Sequence, residues 1–250
     1  MMKAVFVFCV TIFTLFSFKT KEKITVYLIG DSTLSIKAVN TYPEMGWGVP
    51  FAWFFNSEVK VDNKAMNGRS SSSFDKENRW QPIVDSLKSG DYVLIQFGHN
   101  DEVETKKTYT NPTEYVNFLT KYVKETRSNE AYPVLITPVA RRAFDENGKV
   151  IDTHKVYAQL VRDLARKLNV PLIDLSSKSM ELLQDLGLEK SKFLYNHLAP
   201  NQNPNYPEGK RDDTHFNELG ARMIAELVLK EINVLQLPLS NYIVAPKKKN

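Results

Sequence analysis

Five short apolar runs, at 24–29, 58–61, 92–97, 134–137 and 170–173, are separated by longer amphipathic stretches. Runs that are apolar on both faces predict the strands of a parallel sheet covered by helices on each side. Residues 49–55, 80–87, 113–127, 153–168, 177–186 and 217–232 read as those helices. In the fourth, Val156, Leu160, Val161, Leu164 and Leu168 return at three- and four-residue intervals, which is one face of a helix. Strand and helix alternate, so the expectation is one domain of α/β class, an open three-layer α/β/α sandwich.

The amino terminus stands apart. Residues 4–18 are an apolar run without an acid, behind the single cation Lys3. The run is short for a bilayer span and fits the apolar core of a secretory signal. The expected organisation is a signal peptide over 1–20, one folded domain over 21–237 and a tail over 238–250, with Lys247–Lys249 solvated. An uncleaved anchor and a buried first strand are the rival readings. Removing Lys3 and Lys19 lowers the net charge from +4 to +2, and Cys9, the one cysteine, leaves with the signal. The mature chain then has no disulfide or thiolate chemistry. Its near-balanced charge excludes any electrostatic reason to bind nucleic acid. An exported protein, periplasmic or extracellular, without stable membrane association is expected.

Parallel sheets bind ligands at the carboxyl ends of their strands, and polar clusters occur where such ends are expected. "GDS" at 30–32 follows the first run, "NGRSSSS" at 67–73 the second and "GHND" at 98–101 the third, while "RDDTHF" at 211–216 precedes the last helix. Each alone is ordinary turn or capping chemistry. Together they supply what acyl transfer requires: a hydroxyl, a base, a group to orient the base, and donors for an oxyanion. A helix starting after Ser32 would present its hydroxyl. Asp212, three residues before His215, is placed to reach the imidazole Nδ1 and leave Nε2 free to accept a proton. Gly68 admits a backbone N–H close to a ligand, and Asn100 offers a neutral amide donor.

In this order the four clusters resemble the blocks of the SGNH, or GDSL-like, hydrolase superfamily, with Ser32, Gly68, Asn100 and His215 at its naming positions. The longer stretches "VYLIGDST", "NGRSSSSF", "QFGHND", "TPVARRAFDENGKVIDTH" and "PNYPEGKRDDTHFNELGA" resemble the rhamnogalacturonan acetylesterase group of carbohydrate esterases. The resemblance implies a flavodoxin-like sheet and a serine esterase that needs no metal or other cofactor. It implies Ser32 as nucleophile, His215 as base and Asp212 as orienting acid. The oxyanion hole it implies is made of the Ser32 and Gly68 backbone N–H groups and the Asn100 side chain.

The expected partner is an acetylated polysaccharide or oligosaccharide. Arg69, Arg141 and Arg142 are candidates to meet uronate carboxylates, since guanidinium matches a carboxylate bidentately; surface ion pairing is the competing reading. Trp80 is a candidate stacking face, His99 a candidate pocket wall, and His197 a candidate on a substrate-facing loop, whereas His154 reads as structural. Three other functions remain open on sequence: an esterase of the same superfamily acting on xylan, acetyl sugars or lipids, an inactive glycan-binding protein, and a metal-dependent hydrolase built from Asp31, His99, Asp101 and His215.

Overall fold

The computed structural model describes residues 23–244; the expected signal peptide, Cys9 and Lys247–Lys249 lie outside the described residues. Five parallel strands, β1 (Ile24–Gly30), β2 (Val59–Asn63), β3 (Tyr92–Gln96), β4 (Tyr132–Ile136) and β5 (Leu172–Ile173), form one sheet in the order β2-β1-β3-β4-β5. Successive strand residues point to opposite faces, and both faces are apolar. Val26, Leu28, Tyr92, Leu94, Val134 and Ile136 enter one core. Tyr27, Ile29, Val93, Ile95 and Leu135 enter the other. This two-sided burial makes the strands continuous apolar runs in the sequence.

Among the described residues, seven α-helices flank the sheet: α1 (Gly48–Phe51), α2 (Ser71–Lys76), α3 (Gln81–Val84), α4 (Pro112–Ser128), α5 (Lys155–Leu168), α6 (Leu175–Lys190) and α7 (Glu218–Val234). Helices α1, α6 and α7 cover the first core through Phe51, Leu183, Ile224 and Val228. Helices α2, α3, α4 and α5 cover the second through Phe74, Ile83, Leu119 and Val161. Each such side chain contributes about 1.5–3 kcal/mol relative to exposure. From β1 the chain runs outward to β2 and then back past β1 to β3. The direction of winding therefore reverses between β1 and β3, and a crevice opens at their carboxyl ends.

Three expectations need correction. No helix follows Ser32: residues 31–35 form turns and a bend. "NGRSSSS" is more than a turn, because its serines start α2. Ser70 caps that helix, accepting from the Ser73 N–H at 3.1 Å while its own N–H donates to Ser73 Oγ at 2.9 Å. The tail does not begin at 238. Leu239 is fully buried, Asn56 N–H donates to the Tyr242 carbonyl, and Val244 N–H donates to that of Phe54. The packed domain thus continues to residue 244.

The sequence reading also lacked two strands. β6 (Tyr195–Leu198) and β7 (Lys210–Phe216) make a separate antiparallel pair. Tyr195 pairs with Phe216 and Asn196 with Asp212, so Asp213, Thr214 and His215 have no counterparts on β6 and bulge from the ladder. "RDDTHF" is therefore a distorted strand rather than a turn before a helix.

Candidate active site

Ser32 is displayed by a turn that its neighbours stiffen. Asp31 is fully buried, and its Oδ1 accepts from the Thr33 N–H at 2.9 Å and the Thr33 hydroxyl at 2.8 Å. Gln96, the last residue of β3, donates to Thr33 Oγ1 at 2.7 Å and accepts from the Trp47 indole at 3.1 Å. The strands approach so closely here that a Cβ on Gly30 would collide with the Gln96 carbonyl. Burial pushes the Asp31 carboxyl above its ordinary range, against the two bonds from Thr33. This acid shapes the turn and does not touch the imidazole of His215.

The bulge on β7 carries the other two groups. Asp212 Oδ1 accepts from the backbone N–H groups of Thr214 and His215, each at 2.9 Å, which folds the bulge back on its own first residue. Asp212 Oδ2 lies 2.9 Å from His215 Nδ1, and His215 Nε2 lies 3.0 Å from Ser32 Oγ. Burial raises the Asp212 carboxyl, but the His215 and Thr214 bonds outweigh it and hold the group far below its usual range. An ionised carboxylate only accepts, so Nδ1 carries the imidazole proton and Nε2 presents a lone pair to the Ser32 hydroxyl.

The adjacent Asp213 faces the other way. Its carboxylate lies 2.7 Å from Arg142 Nη1 and 2.8 Å from His197 Nε2. Arg142 is buried, bonding also to Ser191 Oγ, the Leu188 carbonyl and, through its own N–H, the Asp213 carbonyl. Arg142 and His197 are thus fasteners of the bulge rather than substrate contacts.

A cleft of about 540 Å³ opens over these groups, walled by Ser32, Gly68, Asn100 and His215. Gly68 holds a left-handed φ of +76°, with open space where a side chain would stand. Asn100 is locked from both ends: Nδ2 donates to the Arg69 carbonyl at 3.0 Å, and Oδ1 accepts from Lys106 Nζ at 2.8 Å. Asp101 fixes the turn that carries Asn100, accepting from Ser71 N–H, Ser71 Oγ and Gly98 N–H at 2.8, 2.6 and 3.0 Å. Burial pushes Asp101 up to about 7, opposed by the Ser71 and Gly98 bonds.

His99 and Arg141 also wall the cleft. His99 Nε2 donates to the Val139 carbonyl at 2.9 Å, and burial drives its pKa well down, so the ring is neutral. Arg141 is held by Glu102 at 2.5 Å, and Glu102 also bonds His154 Nδ1 at 2.9 Å, which makes His154 structural. The remaining sugar-contact candidates lie elsewhere. Arg69 turns its guanidinium to Glu77 at 2.9 Å and the Asn67 carbonyl at 2.8 Å, and only its carbonyl, bonded by Asn100, serves the site. Trp80 is buried in the core, its indole bonded to Glu125.

Sequence reasoning missed Glu44, Asn67, Lys106 and Thr214, which complete the wall. Glu44 Oε1 is 4.0 Å from His215 Nε2 and 2.7 Å from Lys37, whose side chain is 5% exposed. Its nearness to the Ser32 turn in sequence was the available clue; nothing marked Lys106. The conceivable metal set Asp31, His99, Asp101 and His215 is not brought to ligand distance. Among the described residues the group that is consists of Glu44, Asp212 and His215. Lys37 lies on the first and Lys210, at 3.7 Å, on the second, so these carboxylates already have cationic partners.

A hydroxyl, imidazole and carboxylate in line, at the switch point of a flavodoxin-like sheet, are the arrangement of a serine hydrolase, and the acetylesterase relatives make the class a carboxylic ester hydrolase. The chain belongs to the GDSL-like lipase/acylhydrolase family, whose model matches residues 28–223. It is 43% identical, over 92% of its length and 98% of the relative's, to the rhamnogalacturonan acetylesterase RhgT of Bacillus subtilis. It is 37% identical to a probable rhamnogalacturonan acetylesterase of the same organism, YesY, over 88% of this chain and 97% of that one. An acetylxylan esterase of Geobacillus stearothermophilus shares the fold at 21% identity, with a TM-score of 0.61 over 86% of this chain and 96% of that one.

Proposed function

We propose that the protein removes acetyl groups from pectic rhamnogalacturonan by two-step acyl transfer. The carrying observation is the chain of hydrogen bonds from Ser32 Oγ to His215 Nε2 at 3.0 Å and from His215 Nδ1 to Asp212 Oδ2 at 2.9 Å. His215 takes the Ser32 proton as Ser32 Oγ attacks the acetyl carbonyl. The imidazolium, held by Asp212, then protonates the departing sugar oxygen. Water, deprotonated by His215, attacks the acetyl-serine; acetate leaves and Ser32 recovers its proton. The negative oxygen formed in each half meets the Ser32 and Gly68 N–H groups and the free N–H of Asn100.

The substrate reading draws on the rhamnogalacturonan acetylesterases, matched over 98% and 97% of their lengths, and accords with a cation, Arg141, in the cleft wall. Export to the periplasm or beyond accords with a polymeric substrate and with the apolar run at 4–18. The test is acetate release from acetylated pectic, xylan and mannan polymers, with Ser32→Ala as control. Release from the pectic polymer, abolished in the variant, is expected. Release from xylan alone would transfer the substrate assignment to acetylxylan, and wild-type activity in Ser32→Ala would end the serine mechanism.

A further inference from the structure

The amide of Asn100 has three hydrogen-bonding positions that matter here: one oxygen and two N–H groups. The Arg69 carbonyl only accepts, so it claims one N–H at 3.0 Å. The Lys106 ammonium only donates, so it claims the oxygen at 2.8 Å. One N–H remains, and Asn100 stands in the wall of the cleft beside Ser32. Lys106 is brought there by a compact loop: its N–H donates to the Val103 carbonyl, and Tyr109 N–H donates to the Lys106 carbonyl.

We propose that Lys106 is a positioning residue that charges the oxyanion donor. Its ammonium acts through the Asn100 amide. A cation on the amide oxygen draws electron density out of the C–N unit and makes the free N–H a stronger donor toward the developing oxyanion. It also forbids the flipped rotamer, in which an NH₂ group would face an ammonium. The charge lies at the cleft wall before substrate arrives, so no reorganisation is needed when the oxyanion forms. The idea rests on Asn100 donating to the oxyanion, as the acyl-transfer reading requires.

The test compares Lys106→Met, Lys106→Arg, Asn100→Ala and the double variant Asn100→Ala/Lys106→Met on a small neutral acetyl ester, with thermal melts as the check on folding. A neutral ester has no carboxylate for Lys106 to bind. Deleting a whole oxyanion donor costs about 100- to 1000-fold, so Asn100→Ala is expected in that range. Lys106→Met, which keeps the donor and removes its charge, is expected to lower kcat about 10-fold with KM nearly unchanged. Lys106→Arg is expected to restore most of the loss. In the Asn100→Ala background the Lys106 change is expected to cost almost nothing, because its only route to the reaction is gone. Full kcat in Lys106→Met on the neutral ester, or an equal loss in both backgrounds, overturns the proposal. Full activity in Asn100→Ala overturns instead the oxyanion reading beneath it.

Discussion

Asp212 meets His215 twice: Oδ2 accepts from the imidazole Nδ1 and Oδ1 from the backbone N–H, both at 2.9 Å. One carboxylate thus sets both the ring tautomer and the shape of the bulge that carries the ring. Asp212→Asn presents an amide where the imidazole needs an acceptor. A fall in kcat on the order of 10⁴-fold is expected, measured with a small acetyl ester. Asp213→Asn, one residue along, should retain kcat within a few-fold. The reverse pattern would exchange the two roles.

Arg142 gives a stability prediction where the sequence had offered a binding one. Its guanidinium reaches Asp213, Ser191 and Leu188 with only 7% of the side chain exposed. Arg142→Met leaves the Leu188 carbonyl and Ser191 hydroxyl without this donor. The expected cost is about 2–3 kcal/mol in denaturant unfolding, moderated because Asp213 is half-exposed and can recruit water. KM for polymer should barely move in whatever fraction stays folded. A large rise in KM at unchanged stability would return Arg142 to the substrate.

Acid should act through Asp212. Its folded carboxyl lies below the ordinary range, whereas the unfolded chain titrates near the usual value of about 3.9. Above that value both states are ionised, and the pairing contributes in full. As pH falls toward the folded value the unfolded state takes up a proton first, so stability is lost. Stability measured from pH 5 downward should therefore fall less steeply in Asp212→Asn than in wild type. Parallel curves would show that the pairing is absent in solution.

Leu239 tests where the domain stops. It is fully buried in the core shared by α1 and α7. Leu239→Ala is expected to cost about 2–5 kcal/mol, and truncation after residue 237 more, since it also removes the backbone bonds to Phe54 and Asn56. Unchanged melting of the truncated chain would restore the tail reading.

What the sequence made legible follows from burial. Strands apolar on both faces and helices with one apolar stripe announce themselves, so the sheet and most helices stood out. Strands β6 and β7 did not: "YNHL" and "KRDDTHF" have no run of apolar residues, and their pairing is set by a bulge and by Arg142 from another element. Helix α2 hid because its start is written in serines, which serve loops equally well. Ser32, Gly68, Asn100, Asp212 and His215 were legible through spacing and order. Glu44 and Lys106 were not, since only the fold brings them to the cleft. Arg69, Arg142 and Trp80 misled because residue type says nothing about which way a side chain turns.

The hydrogen bond between Ser32 and His215 joins positions 183 residues apart, one in the turn after β1 and the other on β7 of the separate hairpin. A chain still emerging from the ribosome holds the serine long before it holds the base. Its hydroxyl then has the reactivity of any other serine. The proposed mechanism needs the hairpin near the carboxyl end in place beside the sheet, so a fragment lacking that hairpin is expected to carry Ser32 without its base and to be inactive. On that mechanism, completing the fold is what gives Ser32 its base.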